Sequence, residues 1–285
     1  MKRRAVSLVL LLVASACATD RQASPSSGGT HALATGGGGG GKTTTSQFLT
    51  GIDGDQVVRS FSGRSVAYVP GSDAGLYEAS GRRWTKITVA QPEESASRTY
   101  RLKGDFEPEA FSTDESKLFL IEHLSDVRYR VRMLKLRTGK VAPIGRLTKF
   151  APDSMRGVGR VQVYAPTGDT LYTLYTRQPP NTAHRTQDED LDPNRVHAFV
   201  HVLSLEGAWA HCIDLKMPFG MDPDAINDIA VSKDGTFVYA TDGAQVAVID
   251  ANGLKVWEMV TATSISEVAK GELIRPADQA HMRAQ

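Results

Sequence analysis

The sequence has only two cysteines, Cys17 and Cys212, so no framework of disulfides holds the fold. It has no excess of charge either: 33 Lys and Arg stand against 32 Asp and Glu. Three of the basic residues, Lys2, Arg3 and Arg4, crowd the start, and no basic run follows. The electrostatic footprint of a nucleic-acid binder is therefore missing. Beyond residue 16 no apolar stretch approaches the roughly 18 residues of a membrane-spanning helix. A G-x-S-x-G elbow and a reactive-cysteine motif are also missing, so no catalytic nucleophile announces itself. What is present is 41% hydrophobic residues in a chain of 285, which suits an ordinary core in one large or two ordinary domains.

Residues 1–16 read as an export signal: a positive start, an apolar stretch from Ala5 to Val13, and the small residues Ala14-Ser15-Ala16. Cys17 follows at once, and A-S-A-C resembles the bacterial lipobox, whose cysteine receives a diacylglycerol before cleavage. The resemblance implies lipidation of Cys17 and a place on the outer face of the cytoplasmic membrane. Ordinary cleavage after Ala14-x-Ala16 would cut the same bond and release a secreted protein. Residues 17–47 are rich in Gly, Ser and Thr, as a disordered tether between lipid and domain would be. With Cys17 acylated, Cys212 has no partner and reads as a small buried hydrophobe.

Gly36 to Thr43 matches the phosphate-loop pattern G-x-x-x-x-G-K-[ST]. That chemistry needs a buried strand before the glycines and a helix after them, whose first amides meet the phosphate. Residues 28–35 are not a buried strand, and Thr43-Thr44-Thr45-Ser46 is poor helix material. Glycine richness explains the match, and no nucleotide is expected.

From residue 55 to 260 a four-strand phrase recurs, its strands alternating between apolar and polar and separated by Gly, Asp and Pro turns. The clearest copy has Ile229-Ala230-Val231-Ser232, the turn Lys233-Asp234-Gly235-Thr236, then Phe237 to Thr241. Gln245 to Asp250 and Leu254 to Met259 complete it. The third copy pairs Val163–Ala165 with Leu171–Tyr175, and Ala198–Leu205 with Trp209–Leu215. The second pairs Ala110–Ser112 with Leu118–Ile121, and Val131–Leu136 with Lys140–Ile144. The first is weakest: Phe61–Gly63, Val66–Val69, Leu76–Ala79 and Trp84–Val89. Trp84, Trp209 and Trp257 each follow the second turn of their copy.

A four-stranded unit that buries its faces only against its neighbours is a propeller blade. S-K-D-G-T-F-V-Y-A-T…V-A-V-I-D resembles the YVTN-type repeat, akin to WD-repeat blades, and the chain resembles actinobacterial lipoproteins of that kind. The expected fold class is all-β: a β-propeller of four recognisable blades, or five, with residues 261–285 as a tail or partial blade holding one strand near Leu273. Such propellers serve as binding platforms, scaffolds and some enzymes.

Tight turns join strands one and two, and three and four. The long connections (90–106, 145–159, 177–196 and 216–226) therefore crowd one face, where binding residues are expected. Inner strands place Glu107, Glu109, Arg160, Gln162, Asn227 and Asp228 near the mouth of the axis as candidate ligand-binding residues. His197 and His201 are about 13 Å apart on a strand, too far to share an ion, and His201 with His211 across a turn makes only two ligands. Asp188-x-Asp190-x-Asp192-x-Asn194 has Pro193 where a calcium loop needs Gly. No metal and no cofactor are expected. The function implied is an anchored platform for an envelope protein or small ligand. A propeller enzyme, such as a metal-dependent hydrolase of lactonase type, is the alternative.

Overall fold

A computed structural model describes residues 57–70, 84–91, 94–125, 128–147, 154–178, 197–222 and 224–284. The leader, Cys17, the linker, Gly36–Thr43, the strand expected at Leu76–Ala79 and the acidic run Asp188–Asn194 lie outside them. The fold is the expected all-β propeller of four blades. Blade 1 contains β1 (Val57–Arg59), β2 (Val66–Tyr68), β3 (Trp84–Gln91) and β4 (Ala96–Lys103). Blade 2 contains β5 (Asp105–Phe111), β6 (Lys117–Ser125), β7 (Arg128–Lys135) and β8 (Lys140–Pro143). A short β9 (Gly145–Arg146) then leads to blade 3: β10 (Val158–Tyr164), β11 (Thr170–Gln178), β12 (His197–Ser204) and β13 (Trp209–Leu215). Blade 4 holds β14 (Asp228–Ser232), β15 (Phe237–Thr241), β16 (Gln245–Asp250) and β17 (Lys255–Thr261). Each blade is an antiparallel meander with its first strand innermost. β9 adds in parallel to the outer edge of β13.

The middle strands read as unbroken apolar runs because they are buried on both faces. In β6, Leu118 and Leu120 pack towards blade 1 with Val58, Ile87 and Leu102, while Phe119 and Ile121 pack towards blade 3 with Tyr175 and Phe199. In β12, Phe199 and Leu203 face blade 2, and Val200 and Val202 face blade 4 with Ile229, Val238 and Ile249. Period-two alternation thus feeds two dry seams from one strand. Each fully buried large side chain contributes about 1.5–3 kcal/mol against exposure.

Sequence expectations are corrected in blade 1 and in the tail. Residues 96–103, taken as part of a long connection, form β4, which pairs along the whole length of β3. Trp84 therefore begins the third strand of blade 1, whereas Trp209 and Trp257 lie on fourth strands. The stack also does not close by blade against blade at every junction. The far face of blade 4 (Ala230, Tyr239, Val246, Val248) is covered by Ala262 and Ile265, the latter on the single-turn helix α1 (Ile265–Val268). The rest of the tail supplies β18 (Leu273–Ile274), a 3-10 helix (Pro276–Met282) and β19 (Arg283–Ala284), two strands where one was expected. β18 pairs with β14, and β19 with β1.

Candidate functional site

The tight turns between first and second strands pack on one another. Phe61 of blade 1 lies 5.8 Å, ring to ring, from Tyr164 of blade 3 and directly over Gly168, where a Cβ would overlap the ring. Gly168 also has φ +72, which any side chain disfavours. A Cβ on Gly235 of blade 4 would rest 3.6 Å from the Pro166 ring of blade 3. At the opposite side the second strands end and the inner strands begin.

Two inner strands are interrupted near that side. The β5–β6 register shifts between Pro108 and Ala110, leaving Glu109 as the extra residue. The β10–β11 register shifts between Gly159 and Val161, leaving Arg160. Bulges re-aim a side chain out of the ladder, and Pro108, which has no N–H to give, favours one. Arg160 Nε donates to Thr176 Oγ1 at 2.7 Å, and its Nη2 is buried with no hydrogen-bond partner among the described residues. Asn227 Nδ2 donates to the Ala225 carbonyl at 2.9 Å, while its buried Oδ1 has no partner among the described residues. Asp228 is committed: Oδ2 accepts from Arg275 Nη1 at 2.6 Å and Oδ1 from the Ile229 N–H at 2.9 Å. Glu107 lies 3.2 Å from His123 Nε2.

Glu109 and Gln162 belong to the seam between blades 2 and 3. Gln162 starts a cross-strand row, Gln162–Thr173–His201–Cys212, on the face of blade 3 that Tyr164 shares. Glu109 and His201 are both buried and both engaged with neighbours. Beside them Tyr129, Tyr175 and Phe199 stack at 5.6 and 5.0 Å, and His201 meets Tyr175 edge-on at 6.2 Å. Burial pushes the Tyr129 hydroxyl well above the usual phenol range, and the Glu109 charge adds to it. That hydroxyl donates to the Arg156 and Gly157 carbonyls at 3.1 and 3.3 Å. Burial, with Asp214 nearby, raises Cys212 as well, so it stays a thiol and a poor nucleophile. His201 pairs with Cys212 in register, while His211 pairs with Val202 and so projects from the other face. The two histidines do not converge.

Of the six residues singled out in the sequence, Arg160, Asn227 and Asp228 stand at the starts of the neighbouring inner strands β10 and β14. Glu107 begins blade 2, and Glu109 and Gln162 lie deeper, in the seam. Sequence reasoning missed the partners His123, Thr176 and Arg275, which reach these residues across a strand pair or from the tail. It also missed an exposed apolar set on the same side: Leu124, Val158, Met221 and Ile226, the last 81% exposed. A concavity of about 530 Å³ lies on the far face of blade 4 between Phe237, Tyr239 and Trp257 and the tail residues Val268, Lys270 and Glu272. Among the described residues, no group of three or more His, Cys, Asp or Glu side chains is placed to hold a metal ion.

No known protein family and no curated protein matches the sequence. Among solved structures, hydrazine synthase of Kuenenia stuttgartiensis is 16% identical over 69% of this chain and 52% of that one, with a TM-score of 0.42. A β-propeller domain from Myceliophteria thermophila is 12% identical over 74% and 56%, with a TM-score of 0.39. The β-propeller domain of the trilobed protease from Pyrococcus furiosus, described as having an open velcro topology, is 12% identical over 75% and 59%, at 0.38. The chain spans less than two thirds of each of these structures.

Proposed function

We propose that this chain is an exported binding platform, held by a lipid on Cys17 at the outer face of the cytoplasmic membrane, whose loop-bearing side takes an envelope protein or a small ligand. The observation that carries the reading is the apolar set Leu124, Val158, Met221 and Ile226, exposed on the one side where the connections emerge. Large apolar groups exposed on the same side as polar strand ends are a feature of recognition surfaces. Arg160 Nη2 and Asn227 Oδ1, at the starts of the inner strands on that side, have no hydrogen-bond partner among the described residues.

The test is photo-crosslinking in intact cells from a reactive residue placed at Ile226, compared with the same residue at Lys140 on the outer edge of blade 2. A discrete crosslinked species from position 226 alone is expected. Identical patterns from both positions would end the platform reading. Cys17→Ser, which removes the acyl acceptor, should move the protein from the membrane fraction to the medium. If it stays with the membrane, the lipid anchor is wrong.

A further inference from the structure

The inner strand of a propeller blade presents one edge to the axis, and a free strand edge is a template for another strand. Here the C-terminal segment of the chain occupies those edges in turn. Leu273 and Ile274 pair antiparallel with Ser232 and Val231 of β14. The carboxamide of Gln279 then serves β10: Oε1 accepts the Tyr164 N–H at 2.8 Å, and Nε2 donates to the Tyr164 carbonyl at 3.1 Å. A side chain thus satisfies both backbone groups of one strand residue, as a neighbouring strand would. Arg283 and Ala284 finally pair with Val58 and Val57 of β1.

The hydrogen-bonded attachments are short (two residues, one amide, two residues), and of the strap's side chains Leu273 and Ile274 also pack, half-buried, against apolar clusters of blade 4. The fastenings at the near end are exposed. Arg275 holds Asp228 with both side chains about one third exposed, and Lys233 holds Glu272 with both about 70% exposed. Ion pairs at such exposed sites contribute little, because water screens the charges and the long side chains lose freedom in forming them. Just upstream, Gly271 sits at φ +93, with nothing within 4 Å of where a Cβ would be. By contrast, β11 and β12 pair along nearly their whole length within a buried sheet.

We propose that the axial edges of β14 and β10 form a peptide-accepting surface, that the C-terminal strap is its built-in occupant, and that an extended segment of a partner protein enters by displacing it. The partner segment pairs through its backbone with Val231, Ser232 and Tyr164, and carries a basic side chain to meet Asp228 as Arg275 does. The inference concerns strand edges and stands apart from the loop-side residues Arg160, Asn227 and Ile226.

A fluorescent synthetic peptide with the sequence of residues 272–285 is titrated into the full-length protein and into its Arg275→Ala/Gln279→Ala double variant. With the strap loosened, the double variant should bind the peptide at least tenfold more tightly than the unaltered chain. A peptide carrying Arg275→Ala should lose most of that gain. Equal, weak binding to both proteins with unchanged circular dichroism would overturn the proposal. Hydrogen exchange of the unaltered protein decides the matter even if the double variant misfolds. The amides of 273–274 and 283–284 should exchange through local opening, well before those of β11 and β16. Exchange of the strap only on global unfolding would overturn the idea.

Discussion

Glu115, in the tight turn of blade 2, reaches into blade 1 and accepts the Ser65 hydroxyl at 2.6 Å. Its other oxygen takes the Ser62 hydroxyl, and Arg64 lies 3.4 Å away. The backbone there is left-handed, φ +54, at the turn position that Gly63, Gly168 and Gly235 fill in the other blades. Glutamate accepts a conformation that favours glycine and in return ties two blades together. Glu115→Ala keeps the strained backbone and loses the tie, and should destabilise by about 1.5–3 kcal/mol, the range for hydrogen bonds to a charged group. Glu115→Gly relieves the strain and should cost less. Urea unfolding of both variants checks the order; Gly falling below Ala would refute it.

The same turn predicts an acid response. Asp114 accepts from the Ser112 hydroxyl at 2.6 Å and from the Ser116 N–H at 3.0 Å, and these bonds, Ser112 foremost, lower its pKa from 3.8 to about 2. A carboxylate whose folded pKa is depressed binds fewer protons than in the unfolded chain, so its contribution is fully present above 3.8 and disappears as pH falls through about 2. In unfolding titrations between pH 5 and pH 2, Ser112→Ala should lose less stability over that window than the unaltered protein. A parallel decline would refute the assignment.

Phe199 is fully buried and stacks 5.0 Å from Tyr175 at the seam of blades 2 and 3. Phe199→Ala should cost about 3–5 kcal/mol, Phe199→Leu much less. Tyr129→Phe keeps the stack but leaves the Arg156 and Gly157 carbonyls without its hydroxyl, at about 1 kcal/mol. Thermal unfolding that ranks Tyr129→Phe as the worst of the three would contradict this division between packing and hydrogen bonding.

Gly168→Ala meets two penalties at once, the Phe61 ring and the left-handed backbone. The double variant Phe61→Ala/Gly168→Ala should recover part of the loss seen with Gly168→Ala alone. A thermodynamic cycle with no coupling would show that the two turns do not press on each other.

Much of the fold was legible because the blades are stacked sheets. Leu118-Phe119-Leu120-Ile121 is apolar on both alternating sets, which only a strand covered on both faces sustains. Ser112-x-Asp114 and Ser232-x-Asp234 close turns through the same bond, hydroxyl to carboxylate at 2.6 Å in each. β4 escaped notice because an outer strand is mostly wet: only Tyr100 and Leu102 of Ala96–Lys103 are buried. The strap was illegible for another reason. Two-residue strands carry no periodicity, and where Gln279 stands in for a strand there is no strand to find. Among the site residues, position on an inner strand was readable, but the bulges at Pro108–Ala110 and Gly159–Val161 were signalled by no more than one proline and one glycine. Depth was therefore misjudged for Glu109 and Gln162.

Adjacent letters of β6 answer to different neighbours: Leu118 to the blade before it, Phe119 to the blade after. Deleting one residue from that strand would exchange the two sets, sending phenylalanine volume into a space shaped for leucine and the reverse. The damage would not stay where the deletion was made. Three consecutive sheets would lose their fit together, so this strand tolerates substitution far better than any change in its length.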